Sequence, residues 1–169
     1  MWLVLIVEDD PQMRDFFGAS IKRSGDLALA GSVGTVAEAI AWLDDPAHAV
    51  DVVLTDLGLP DGSGLEVIRH ATQLHPACEP LVISMFGDED NVLASIEAGA
   101  LGYIHKDSTP EDIAHAIREM KAGASPISPM IARRVLSKYL SLRDGRAAAP
   151  VPAPAPAAGP AARALLSAR

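Results

Sequence analysis

Four apolar runs of this sequence end in residues equipped for chemistry. Trp2–Val7 ends in Glu8 and Asp9, Val52–Thr55 in Asp56, Leu81–Ile83 in Ser84, and Gly102–His105 in Lys106. Buried strands that run parallel present their carboxyl ends along one edge of a sheet, where open α/β folds bind ligands. The grouping is then three carboxylates, one hydroxyl and one ammonium. Three carboxylates in one cleft repel, and one stays protonated unless a cation joins them. A hard divalent cation resolves the conflict. Mg2+ takes oxygen ligands, keeps waters, and binds one or two carboxylates together with a phosphate. Lys106 supplies a point charge for a phosphoryl oxygen, and Ser84 a neutral donor. Such parts hold a phosphoryl group in transfer, where positioning and charge neutralisation do most of the work. Asp56 is the expected nucleophile, because carboxylates form aspartyl phosphates.

The elements that must position these groups are legible in the spacing. The first run is apolar throughout and reads as a strand buried on both faces, the mark of a parallel sheet. Asp10-Pro11 supplies a cap and first position for a helix that carries Met13, Phe16, Phe17 and Ile21. A short Ala-rich strand is expected over Leu27–Gly31, and Thr35-Val36-Ala37-Glu38 forms a capping box for the next helix. The Asp56 strand leads through a Gly- and Pro-rich turn into a helix from Gly64 to about Leu74. The acids Asp88-Glu89-Asp90 open a fourth helix, and Thr109-Pro110-Glu111-Asp112 a fifth that ends at Gly123. Strand and helix alternate five times, which predicts an α/β domain with a parallel sheet and right-handed crossovers.

Beyond this body, Ser128-Pro129 repeats the cap-and-proline start. Ile131, Val135, Tyr139 and Leu142 share one side of a further helix, with Leu136 and Leu140 beside them. Its apolar face is expected to rest on the body or on a second copy of the chain. Ala147–Ala162 is nearly all Ala and Pro, a semi-rigid spacer. Charge divides the same way. Residues 1–124 carry 7 basic and 21 acidic side chains, whereas residues 125–169 carry 7 and 1. So acidic a body is a poor binder of nucleic acid by itself. The lone cysteine, Cys78, excludes an internal disulfide framework and suits a reducing compartment. The apolar start lacks a basic leader, and no apolar run is long enough to span a bilayer. The five histidines show no ligand spacing.

Val7-Glu8-Asp9-Asp10-Pro11, the Thr55–Gly64 stretch TDLGLPDGSG, Ile83-Ser84-Met85-Phe86 and the Gly102–Asp112 stretch GYIHKDSTPED, in that order and spacing, resemble the receiver domain of two-component response regulators. KDSTPED, the stretch ISPMIARRVL and the spacer resemble the subgroup that ends in a LuxR-type helix-turn-helix. Leu165-Leu166-Ser167-Ala168-Arg169 looks like the first residues of that DNA-binding domain, cut off.

The resemblance implies a doubly wound five-stranded parallel sheet in flavodoxin-like order 2-1-3-4-5. It implies a receiver over 1–124, an extra helix over 125–143, a linker over 144–162 and the start of a helix-turn-helix over 163–169. Asp56 would accept a phosphoryl group from a sensor histidine kinase. Glu8, Asp9, Asp56 and the Gly58 carbonyl would hold Mg2+. Ser84 would be the switch hydroxyl, Tyr103 the rotating aromatic, and Lys106 the phosphoryl-oxygen ligand. Gly58 and Phe86 stand where the family tunes attack by water, and neither side chain orients one, so slow dephosphorylation is expected. A cytoplasmic protein that dimerises on activation, and that reaches DNA only through the missing domain, completes the expectation.

Two other readings compete with this one. An unphosphorylated interaction module on the same fold would ignore Mg2+ and beryllofluoride. A Mg2+-dependent phosphohydrolase of the haloacid-dehalogenase type places its nucleophile on the first strand in an Asp-x-Asp arrangement. Glu8 occupies the first of those positions, so the chain is not expected to be an enzyme.

Overall fold

A computed structural model of the chain describes residues 1–85, 91–107, 110–127 and 129–148. The chain divides into two units, residues 1–132 and 133–169. The first unit contains β1 (Trp2–Val7), α1 (Pro11–Arg23), β2 (Leu27–Val33), α2 (Val36–Asp44), β3 (Val52–Thr55), β4 (Gly58–Leu59) and β5 (Gly62–Ser63). It continues with α3 (Gly64–Leu74), β6 (Glu79–Ser84), α4 (Val92–Ala98), β7 (Gly102–His105) and α5 (Pro110–Lys121). A last helix, α6 (Pro129–Ala148), starts in this unit and forms the described part of the second.

Five strands pair in parallel in the order β2-β1-β3-β6-β7. This is the order expected for the doubly wound sheet. Successive side chains of a strand point to opposite faces, and β1 shows the consequence. Val4 and Ile6 join a core with Phe17, Ile21, Ile113 and Ile117 from α1 and α5. Leu5 and Val7 join a second core with Ala39, Leu43, Val67 and Ala71 from α2 and α3. Each fully buried branched side chain in these layers contributes roughly 1.5–3 kcal/mol. Apolar residues without alternation are therefore required by helices on both faces.

The caps follow the sequence closely. The Asp10 side chain accepts from the Gln12 amide, and Pro11 occupies the first helical turn. Thr35 accepts from the Glu38 amide, while Glu38 reaches back to the Gly34 amide. Ser63, within the Gly- and Pro-rich turn, caps α3 through the Leu65 amide. The acids 88–90, Thr109 and Ser128 lie outside the described residues.

Several boundaries differ from expectation. Strand β2 runs to Val33 rather than Gly31, because β1 pairs with it along its whole length past an irregularity at Val4/Leu5. Trp2 is half-exposed rather than buried, since β1 begins at the rim and its indole lies under the Lys121 ammonium. The turn after Asp56 contains a small antiparallel pairing of β4 with β5. Residues 125–127 are not helical. Pro126 disfavours helical backbone before it, and the segment runs beside β7 instead. Pro126 O accepts from the Tyr103 amide at 2.9 Å, and Ile127 bridges Tyr103. Helix α6 begins at Pro129, buries Ile131 in the first unit, and continues past Arg143 to Ala148.

Candidate functional site

Strand β1 lies between β2 and β3, and its end is stitched to both. The Glu8 amide donates to Val33 O, and the Asp56 amide donates to Val7 O, each at 3.0 Å. Glu8, Asp9 and Asp56 are thereby delivered to one rim. One carboxylate oxygen from each lies within 4.8 Å of the others, the only such metal-ligand grouping among the described residues. Glu8 is fully buried and Asp56 nearly so, while Asp9 faces solvent.

Lys106 enters from the end of β7. Its amide donates to Ser84 O, which joins the ends of β6 and β7. Its ammonium lies 2.8 Å from both Asp56 Oδ2 and Glu8 Oε1. Burial works against the charged ammonium, but hydrogen bonding and attraction from Asp56 and Glu8 outweigh it. The Lys106 pKa is therefore raised above the ordinary lysine value. Glu8 is also raised above the ordinary glutamate value. Burial is the main cause, partly offset by Lys106 and by the Asp10 amide, which donates to Oε2.

Lys106 compensates one negative charge of three, so two remain when all are ionised. Glu8 Oε1 has the Lys106 ammonium at 2.8 Å as its charge partner and no further donor among the described residues. An all-oxygen donor set and a residual double negative charge fit a hard divalent cation such as Mg2+.

The remaining expected residues fall around this centre. Ser84 Oγ donates to Met85 O at 3.1 Å and accepts from Tyr103 Oη at 3.3 Å, with Tyr103 buried. The Gly58 amide donates to Asp56 Oδ1 at 3.3 Å, and the space where a Gly58 side chain would begin is open. Phe86 lies outside the described residues. Gly64 has a role beyond starting α3. A Cβ there would overlap Asp56 O, and its amide donates to Leu57 O. Gly64→Ala should therefore displace the Asp56 backbone and lower stability by roughly 3 kcal/mol. Urea denaturation checks this, and an unchanged midpoint would contradict the close approach.

Arg14 and Asp61 were not singled out from sequence, yet both bond to the frame of the site. A carboxylate within a Pro-Asp-Gly turn reads as a turn residue, and no local signal names a partner far along the chain. Three of the five histidines gather, but not as metal ligands. His48 and His75 bond the Trp42 and Leu43 carbonyls, and His70 bonds the Asp44 carboxylate, all at the end of α2. The Cys78 thiol is buried, and burial pushes its pKa up to about 12. It is thus poorly suited to thiolate chemistry.

Comparison with known proteins bears on this geometry. Residues 4–118 match the family of the response regulator receiver domain. The chain is 31% identical over 135 residues to the DNA-binding transcriptional activator DevR/DosR of Mycobacterium tuberculosis, across 80% of this chain and 61% of that protein. It is 28% identical to the nitrate/nitrite response regulator protein NarL of Escherichia coli, across 74% of this chain and 57% of that one. The chain thus spans about three fifths of the length of these curated relatives. A crystal structure of a LuxR-family two-component response regulator from Aurantimonas superposes with a TM-score of 0.73 at 29% identity, covering 83% of this chain and 99% of that one. No helix among the described residues is long and apolar enough to cross a membrane. Shared sequence over most of the first unit, the same sheet and an acidic rim at its strand ends lead to one conclusion: the chain belongs to the response regulator receiver domain family, and is the receiver domain of a two-component response regulator of the LuxR/NarL type.

Proposed function

We propose that this receiver is switched by phosphorylation of Asp56 in a Mg2+-dependent reaction. A carboxylate oxygen of Asp56 attacks the phosphorus of a phosphohistidine on a sensor histidine kinase. The new P–O bond forms as the P–N bond breaks, and the imidazole leaves. Glu8, Asp9, Asp56 and the Gly58 carbonyl are the residues that would hold Mg2+. When bound, that ion neutralises charge on the phosphoryl oxygens. Lys106 turns from Glu8 and Asp56 to bind a phosphoryl oxygen, and Ser84 donates to another. Tyr103 follows Ser84 inward and remodels the face around α4, β7 and α5. A local charge biasing a two-state element is the general pattern of such switches.

The observation that carries this reading is the Lys106 ammonium at 2.8 Å from both Glu8 and Asp56, beside a third carboxylate. The output is proposed to be transcriptional, through a DNA-binding domain and a change in dimerisation, as the relative DevR/DosR is a DNA-binding transcriptional activator. The receiver would occupy 1–124, a further helix and linker 125–162, and the start of a helix-turn-helix 163–169. No turnover of phosphate esters is expected, and the cytoplasm is the proposed location.

Incubation with acetyl phosphate and Mg2+ tests the proposal. Mass spectrometry should find one phosphoryl group, on Asp56, and none when the metal is chelated. Absence of the group in the presence of Mg2+ would remove the reading and favour an unphosphorylated interaction module. With no side chain at Gly58 to orient a water, the phosphoryl group should persist long after acetyl phosphate is removed. A lifetime of seconds in a phosphate-release assay would contradict that.

A further inference from the structure

Glu8 and Asp9 follow β1, and Asp56 lies between β3 and the β4–β5 hairpin. Side chains from elsewhere hold each of these segments. On one side, Arg14 Nη1 donates to the backbone carbonyl of Glu8 at 2.8 Å. Gly34, just before α2, closes over the same loop. A Cβ at Gly34 would stand 2.8 Å from Arg14 Nη1, 3.6 Å from Glu8 O and 3.7 Å from Asp9 Cα. On the other side, the Asp61 carboxylate leaves the β4–β5 turn and takes two free amides of the helix. Oδ1 accepts from Val36 at 2.8 Å and Oδ2 from Ala37 at 3.0 Å.

Helix starts present unpaired amides, and one capping side chain satisfies only part of them. Thr35 already takes the Glu38 amide, so Asp61 adds a cap from a different part of the chain. The two α2 amides hold the Asp61 carboxyl below its ordinary value. From the Glu8–Asp9 loop the contacts pass to Arg14, which packs beside Gly34 just ahead of α2, and Asp61 links that helix start to the hairpin that follows Asp56.

We infer that Arg14 and Asp61 are positioning residues for the metal-binding acids. Arg14 on the Glu8 carbonyl and Asp61 on the α2 amides hold the Glu8–Asp9 loop and the hairpin after Asp56 at the separation that Mg2+ requires. The inference rests on the Mg2+-dependent reading above. Loss of a residue that orients metal ligands from behind typically weakens metal affinity about ten-fold or more.

The test is calorimetric titration of the whole chain with Mg2+, with acetyl phosphate labelling measured across Mg2+ concentrations. Arg14→Ala and Asp61→Ala should each weaken Mg2+ binding roughly ten-fold. The half-saturating Mg2+ for labelling should rise in step, and the labelling rate at saturating Mg2+ should stay unchanged. Arg14→Lys, which restores a donor, should regain most of the affinity. The double variant should lose less than the product of the two single losses, because one brace is broken twice. Circular dichroism and melting curves report folding, and Arg14→Lys and Asp61→Asn carry the comparison if an alanine variant does not fold. Variants that melt earlier but bind Mg2+ like the unmodified chain would overturn the brace and leave only helix capping. Fully multiplicative losses would overturn the shared brace. An unmodified chain that binds no Mg2+ overturns the phosphoacceptor reading and this inference together, whereas normal binding with indifferent variants overturns this inference alone.

Discussion

Asp56→Asn should take up no phosphoryl group from acetyl phosphate, at any Mg2+ concentration, while keeping its fold. The amide oxygen of Asn can still accept from Lys106 or from the Gly58 amide, so the local hydrogen bonds largely survive. What disappears is the nucleophilic carboxylate and one charge of the acidic rim. Labelling should fall to background, because an amide oxygen is a poor nucleophile and Glu8 and Asp9 stand at a different strand end. Mg2+ affinity should drop about ten-fold or more with the loss of an anionic ligand. The melting temperature without metal should not fall, since the substitution relieves repulsion among the acids. Mass spectrometry with a thermal melt decides the matter. Persistent labelling of the variant would move the phosphoacceptor elsewhere, and unfolding would make Asp56 a structural residue first.

Lys106→Ala should strongly destabilise the metal-free chain. Among the described residues the ammonium is the only cation against both Glu8 and Asp56, and removing it leaves two buried carboxylates beside each other and Asp9. Breaking a buried pair from one side costs about 3 kcal/mol, more than the pair itself contributes. The pH dependence has a definite sign. The Glu8 pKa is already raised by burial, and without Lys106 it rises further. An acid whose folded pKa exceeds its unfolded one favours the fold below the unfolded value and loses that contribution as pH rises through the folded value. The deficit of the variant should therefore be widest near neutrality and narrow on acidification into the range where Glu8 is protonated. Mg2+ should narrow it too, by mass action on the folded state. Urea denaturation at neutral and mildly acidic pH, with and without Mg2+, checks both statements. A deficit that widens on acidification, or that Mg2+ leaves untouched, would show that Lys106 does not balance these acids.

Both predictions start from residues that were legible before any coordinates. Glu8, Asp9, Asp56, Ser84 and Lys106 stand where apolar runs stop, and parallel strands leave their carboxyl ends no option but a common edge. The helices were readable for a similar reason. Asp10-Pro11 and the Thr35–Glu38 box act within a few residues of themselves, so the bonds they make are local. The segment 125–127 went the other way. Its backbone groups found partners on β7, an edge strand whose identity depends on the sheet order and not on the segment.

Residue types and spacing alone determined the α/β class, the strand ends and the chemistry offered there, because burial on both faces and helix caps are written over short distances. Only the tertiary structure decided that Lys106 pairs with two acids at once, that Gly64 must lack a Cβ against Asp56 O, that Arg14 bonds the Glu8 carbonyl and that Asp61 caps α2. The Lys106 and Asp61 contacts join groups far apart in the chain, and the other two depend on how the loops between neighbouring elements turn. A side chain's type states what it can bond to, and only the packed sheet and helices state which partner comes within reach.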